Sequence, residues 1–216
     1  LGGTANSVDH AFTNNNDGSF VVSNATQTAT YNYTGLSPIT DTITATTRTF
    51  TFNGGSETID LTDDAVAGQM MIDSTLGESV TFTVPTGSLT IDSTNGTDTI
   101  NLTSVDAAYR ASLTVSTDAS IGDTINLGTS LNLGSATATG DLSLTADTIN
   151  LGTASAITIN TDGAGTTNAG AVTLIATTTI NIDQDVTIDT NHATGTDGQF
   201  TQPTGSFDGV TGTPHS

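Results

Sequence analysis

The pentapeptide Asp-Thr-Ile-Asn-Leu occurs three times, at Asp98–Leu102, Asp123–Leu127 and Asp147–Leu151, with starts 25 and 24 residues apart. Self-similarity at such a period marks repeat architectures and narrows the available folds more than any single motif does. Within each copy Ile and Leu alternate with Thr and Asn, the period-two pattern of a strand with one buried face. In the first copy Ile100 and Leu102 point inward, while Thr99, Asn101 and Thr103 point to solvent.

The same alternation recurs from Glu57 onward in short runs, among them Thr58–Leu61, Gln69–Asp73, Val80–Val84, Leu113–Val115, Thr179–Ile182 and Val186–Ile188. Turns of Gly, Asn, Asp, Ser and Thr separate them. Only Asp106–Ala111 carries a helical signal, and it is one turn long. Taken three at a time, the strands form coils beginning near residues 58, 89, 124, 148 and 179. The expected fold is all-β: a right-handed parallel β-helix, a solenoid, over residues 56–190. A β-rich N-terminal segment or cap precedes it at 19–55, where Phe50 and Phe52 share one face of the run Thr47–Phe52. Tandem β-sandwiches resembling donor-strand pilins are the alternative. Residues 1–18, ending in Asn14-Asn15-Asn16-Asp17-Gly18, read as a polar N-terminal linker, and 191–216 as a C-terminal linker or docking strand. Gly163–Gly170 reads as a loop between strands.

Composition fits a thin core. Hydrophobic residues make up 34% of the chain and there is no Trp, less than a two-layer globule of this length uses. Two cationic side chains, Arg48 and Arg110, stand against 22 acidic ones, for a formal net charge of −20. Nucleic acid is excluded as a partner, since phosphate neutralisation needs basic side chains. Cys is absent, so disulfides and thiolate metal sites are ruled out. No apolar run is long enough to cross a membrane as a helix, and membrane insertion is not expected. The chain begins at Leu1 and is read as a processed protein or an excised part of a larger one, exported to the extracellular space or cell surface.

The wording SETIDLTDD (56–64), IDSTLGESVTF (72–82), GSLTIDSTNGTDTIN (87–101) and SVDAAYRASLTV (104–115) resembles the repeats of very large secreted bacterial surface proteins of planctomycete type. The segments SLNLGSATATGDLSLTADTINLG and TTTINID are similar to filamentous-haemagglutinin-type β-helix repeats. The resemblance covers roughly 56–190. It implies a right-handed parallel β-helix and a surface or matrix role, and it carries no catalytic residues across.

Calcium is the first chemistry to weigh. Gly96-Thr97-Asp98-Thr99-Ile100 fits the core of the nonapeptide calcium repeat, and Gly122-Asp123-Thr124-Ile125 fits part of it. That motif needs consecutive nine-residue copies, whereas these lie about 25 residues apart. Asp98, Asp123, Asp60, Asp63, Asp64, Asp183 and Asp185 are the candidate Ca²⁺ ligands, with solvated turn aspartates as the competing reading. Catalysis has little support. The three histidines lie near the chain ends, only Glu57 and Glu78 are glutamates, and no nucleophile, metalloprotease or phosphate-loop motif is present. The outward Thr and Asn of successive coils are expected to stack and share hydrogen bonds between strands.

These observations point to a structural, non-enzymatic role: a repeat unit of an extracellular bacterial fibre, adhesin stalk or surface matrix, assembling by strand-edge pairing. Its partners would be further copies or covalent neighbours in a longer chain, with Phe200, Phe207, Val21 and Val22 as candidate assembly contacts. The alternative is a glycan- or surface-binding adhesin module with Ca²⁺-dependent loops. No other cofactor is implied.

Overall fold

The computed structural model describes residues 2–36, 38–118, 122–135, 139–162, 168–192, 195–203 and 206–209. All of its regular structure is β. The N-terminal strands are β1 (Gly2–Phe12), β2 (Asp17–Ser23), β3 (Thr28–Thr34) and β4 (Ile39–Phe52). Then come β5 (Thr58–Asp63), β6 (Gln69–Ser74), β7 (Val80–Thr83), β8 (Ser88–Ser93), β9 (Thr99–Leu102), β10 (Ser112–Ser116) and β11 (Thr124–Leu127). The chain continues through β12 (Leu131–Asn132), β13 (Leu142–Leu151), β14 (Ile157–Asn160), β15 (Val172–Ile182) and β16 (Val186–Asp189). It ends in β17 (Phe200–Thr201) and β18 (Ser206–Gly209).

Fifteen of these strands belong to one sheet, and β12, β14 and β16 form a separate parallel one. Within the large sheet, nine strands close on themselves in the order β4, β8, β10, β13, β11, β9, β5, β6, β7 and back to β4. The result is a closed nine-stranded mixed β-barrel, which overturns both the parallel β-helix expected over 56–190 and the tandem β-sandwich alternative. Two features produce it. β6 runs antiparallel to both of its neighbours, β5 and β7. And β4, from the segment expected to be a cap, is a full member of the ring.

Closure depends on two long strands that each serve two neighbours. The first part of β4 pairs with β7 and its second part with β8. Likewise β13 pairs with β10 through Leu142–Thr145 and with β11 through Thr148–Leu151. Both break the period-two rule midway. In β4 burial runs through Ile43 and Ala45, then resumes at Arg48 and Phe50, and in β13 Ala146 and Asp147 are consecutive buried residues. A one-residue break in the alternation, an added residue between buried positions in β4 and a missing one in β13, bends the strand and turns its side chains onto a new face. Gly140 and Gly170 lie just before the paired strands β13 and β15. A Cβ at Gly170 would stand 2.3 Å from the Gly140 carbonyl oxygen, so only glycine fits.

The three matching pentapeptides lie side by side in parallel and in register. Ile100 pairs with Ile125, Ile125 with Ile149, and Leu102, Leu127 and Leu151 follow suit. Ile59 extends the isoleucine column on one side and Ile180 on the other. All five isoleucines are fully buried. Each such side chain contributes about 1.5–3 kcal/mol by leaving water.

A second pair of inward columns spans more of the chain. One runs Tyr31, Phe20, His10, Phe50, Ile91, Val115, Leu144, Leu174 across eight paired strands. Beside it run Ala29, Val22, Val8, Arg48, Leu89, Leu113, Leu142, Val172 and Phe200. The strands outside the ring thus extend its core in two directions: β1, β2 and β3 beyond β4, and β15, β17 and β18 beyond β13.

The segment that composition marks as a polar linker, residues 1–18, contains β1, which lies parallel to β4 from Gly2 to Phe12. Its buried side are Ala5, Val8, His10 and Phe12, with Asn, Ser and Asp between them. Two of those four buried residues are small or polar, so the alternation carries little hydropathy. In 191–216, β17 and β18 both pair with β15, while 193–194, 204–205 and 210–216 lie outside the described residues. Most of the Gly163–Gly170 loop, residues 163–167, also lies outside them.

Candidate functional site

β3 and β17 stand at the two ends of the pairing order. β3 pairs with β2 alone among the described residues, and six of its seven residues are exposed. At this end the core layer runs out into the open. Tyr31 stacks on Phe20 with ring centroids 4.8 Å apart, yet is itself 50% exposed. An open groove of about 720 Å³ lies here, with Phe20, Val22, Tyr31 and Ile43 on its apolar surface and Asn24 and Gln27 on its rim. Val22 therefore lines the groove, whereas Val21, next in sequence, faces the other side of β2. At the far end Phe200 continues the inner column beyond Val172 and is 41% exposed. Phe207 lies in β18 opposite Ile180, and its side chain is outside the described residues.

The aspartates that open the pentapeptides hold strands together. Asp98 Oδ1 accepts the Glu57 N–H at 3.0 Å, Asp123 Oδ1 accepts the Asp98 N–H at 2.9 Å, and Asp147 Oδ2 accepts the Gly122 N–H at 3.1 Å. Thr177 and Thr178 both donate their hydroxyls to Asp147 Oδ1. Each carboxylate thus secures the entrance of the neighbouring strand, which accounts for an Asp at this position in every copy. The other candidate ligands lie elsewhere. Asp60 accepts from Asn101 at 2.7 Å, Asp64 accepts the Val66 N–H at 2.9 Å in a turn, and Asp63 and Asp185 are exposed. Asp183 is half-buried just after β15. Asp98 and Asp123 are adjacent, but no group of three or more His, Asp or Glu is gathered as a metal cage among the described residues.

The outward asparagines form the ladder expected from their spacing. Asn101 donates to Asp60, Asn126 to Asn101 at 2.8 Å, Asn150 to Asn126 at 2.7 Å and Asn181 to Asn150 at 2.7 Å. Every amide points the same way, and the chain of bonds ends on a carboxylate. Aligned bonds of this kind polarise one another.

A buried charge cluster escaped the sequence reading. Asp41 binds Arg48 Nη1 and His10 Nε2 (3.0 Å) through one oxygen, and accepts the Ile43 N–H at 2.9 Å with the other. Arg48 Nη2 donates to the Ile43 carbonyl at 2.8 Å. All three side chains are sealed, with His10 packed on Phe50 at 5.1 Å and the Arg48 guanidinium 5.4 Å from the Phe82 centroid. Burial holds His10 below its ordinary pKa despite Asp41, so the neutral ring donates from Nε2. The signal available was that Arg48 shares the period-two face of Phe50 and Phe52. Fully buried, this cluster joins β1 to β4. A second pair, His192 with Asp162, ties the loop after β16 to the one after β14.

Burial, joined by the charges of Asp123 and Asp118, raises the pKa of Asp98. Burial likewise raises Glu57. A carboxyl whose folded pKa is raised holds its proton to higher pH than in the unfolded chain. Its contribution is therefore greatest below the unfolded value, near pH 4, and is lost as pH rises through the folded one. Asp98→Asn keeps an oxygen for the Glu57 N–H and removes the charge. Thermal melts should show it more stable than the parent at pH 7 by a few degrees, the gap closing toward pH 4. A variant that melts lower at pH 7 would show the charge itself to be stabilising.

Comparison with known proteins finds no matching family model, no matching curated protein and no matching solved structure, so the reading of this chain rests on its own residues.

Proposed function

We propose that the chain is a structural unit of an extracellular bacterial fibre, adhesin stalk or surface matrix, and not an enzyme, with copies joining through their terminal strands. The observation that carries this is the course of the inner columns. They begin at Ala29 and Tyr31 on β3; the Tyr31 column ends at Leu174 on β15 and the Ala29 column at Phe200 on β17, so that Tyr31 and Phe200 stand half-exposed at opposite ends. A strand added along β3 would gain main-chain hydrogen bonds, and its apolar side chains would enter the groove beside Tyr31 and Val22. The β17 end of a second copy, bringing Phe200, would continue the column from one molecule into the next. A contact between different ends of the same chain is head-to-tail, and it propagates without closing unless a rotation brings the ends together.

Charge sets the conditions. At −20 and with two cationic side chains, copies repel one another at neutral pH and low salt. Screening shortens that repulsion to about 8 Å at physiological ionic strength. Sedimentation velocity should therefore show larger species as salt or protein concentration rises, and as pH falls toward the pI of about 4.1. Calcium should add nothing beyond its ionic strength. Tyr31→Asp places a charge in the groove of an exposed strand, and should keep the protein monomeric in high salt with an unchanged circular dichroism spectrum. A parent protein that stays monomeric throughout, or a variant that assembles as well as the parent, would refute edge pairing.

A further inference from the structure

A second concave surface lies away from both ends. Alongside the asparagine ladder runs a groove of about 410 Å³, with Asn101, Asn126 and Asn150 among its lining residues. Thr153 and Ala154, in the turn after β13, and Asp183, after β15, also line it. The two turn residues are exposed and the asparagines half-buried, so the amides are open to a ligand from one side.

The hydrogen-bond capacity of the ladder is only part used. An asparagine side chain has two N–H donors and an oxygen with two lone pairs. Each of Asn101, Asn126 and Asn150 gives one N–H to the strand before it and accepts one from the strand after it. One donor and one acceptor per strand are left over, repeating at the inter-strand distance of about 4.8 Å. A hydroxyl is likewise both donor and acceptor. A polymer that presents hydroxyls at intervals close to one strand spacing would satisfy the row, and an extended chain of sugar rings has that property.

Charge selects among such polymers. The three amides are neutral, while the carboxylates of Asp60 and Asp183 flank them and the whole molecule carries −20. Uronate or sulfated chains would be repelled. We propose that this groove binds an extended neutral polysaccharide, lying across the strands with successive rings on Asn101, Asn126 and Asn150. Among the described residues no aromatic side chain lines the groove, so each ring is held by hydrogen bonds and single-site affinity is low. Useful retention then comes from many copies on one polymer. The inference does not depend on edge pairing.

Affinity electrophoresis of the full 216-residue chain tests it. Native gels are cast in turn with a soluble β-glucan, a mannan, an α-glucan and, as the anionic control, alginate. Mobility is referred to a polymer-free gel for each variant. The parent should be retarded by at least one neutral polymer and not by alginate. Ala154→Arg fills the groove from an exposed turn without removing any amide of the ladder, and should weaken retardation at least tenfold. Asn126→Ala removes the middle amide and should weaken it several-fold, with folding checked by circular dichroism. Tyr31→Asp should be retarded like the parent, which separates this site from assembly. Retardation by none of the neutral polymers, equal retardation by alginate, or parent-like retardation of Ala154→Arg would each overturn the proposal.

Discussion

Asp41→Ala is expected to destabilise the protein by about 3–5 kcal/mol, because it strands a guanidinium and a histidine in an interior that water does not reach. Asp41 holds the centre of that cluster, accepting from His10, Arg48 and the Ile43 N–H. Without it, Arg48 keeps one hydrogen bond, to the Ile43 carbonyl. The site lies where β1 runs beside the corner of β4, so the damage reaches the ring itself. The comparison that isolates the mechanism is a double variant. Asp41→Ala with Arg48→Met removes the orphaned charge and leaves an unbranched apolar chain over Phe82. Replacing a whole buried ion pair by apolar groups is commonly neutral or better, so the double variant should recover most of the loss in urea denaturation. If the two losses simply add, the pair is not coupled and the geometry described is wrong. His10 gives an independent check through pH. Its lowered folded pKa means that its contribution is present above about 6.5 and is lost as pH falls below that value. The same acid range brings the opposite trend from Asp98 and Glu57, so His10→Gln should be compared with the parent at each pH.

Ile125→Ala should cost about 2–5 kcal/mol, against about 0.5–1.5 for Ile125→Val. Ile125 is fully buried in the middle of the isoleucine column, flanked in register by Ile100 and Ile149. Strands on both sides are fixed by main-chain bonds, so the column cannot close over a missing side chain and the cavity persists. Thr124, one position earlier, faces outward and should tolerate alanine within about 0.5 kcal/mol. Equal losses at 124 and 125 would mean that the alternation does not divide core from surface as described.

Much of this was legible in the sequence. The runs at Thr58–Leu61, Thr99–Leu102, Thr124–Leu127 and Thr148–Leu151 are strands whose Ile and Leu are buried, because a period of two is a direct imprint of a pleated chain with one dry face. The stacking of Asn101, Asn126 and Asn150 follows from the repeat. What stayed hidden has a common cause. Alternation reads the same in either chain direction, so nothing in Gln69–Asp73 distinguishes the antiparallel β6 from the parallel strands around it. Nor does it reveal that β4 and β13 divide themselves between two neighbours, since the one-residue break in alternation at each corner resembles noise in a Thr-rich run. The charged cluster was masked by the habit of placing Asp, Arg and His outside. Asp98 and Asp123, at motif-like positions in the sequence, each accept a main-chain N–H at a strand entrance, a demand that spacing alone does not announce.

Three interchangeable segments in one chain pose a problem of identity while the molecule folds. Nothing in the five residues themselves tells the second copy from the first, and a chain displaced by one whole repeat would still match isoleucine to isoleucine and amide to amide. The unique pieces settle the ambiguity. β6 fits only between β5 and β7, and β4 must meet both β7 and β8. A slipped arrangement leaves the circle one strand short or one too many. The irregular quarter of the barrel thus acts as a counting device for the regular remainder, and substitutions there should promote misalignment among segments they never touch.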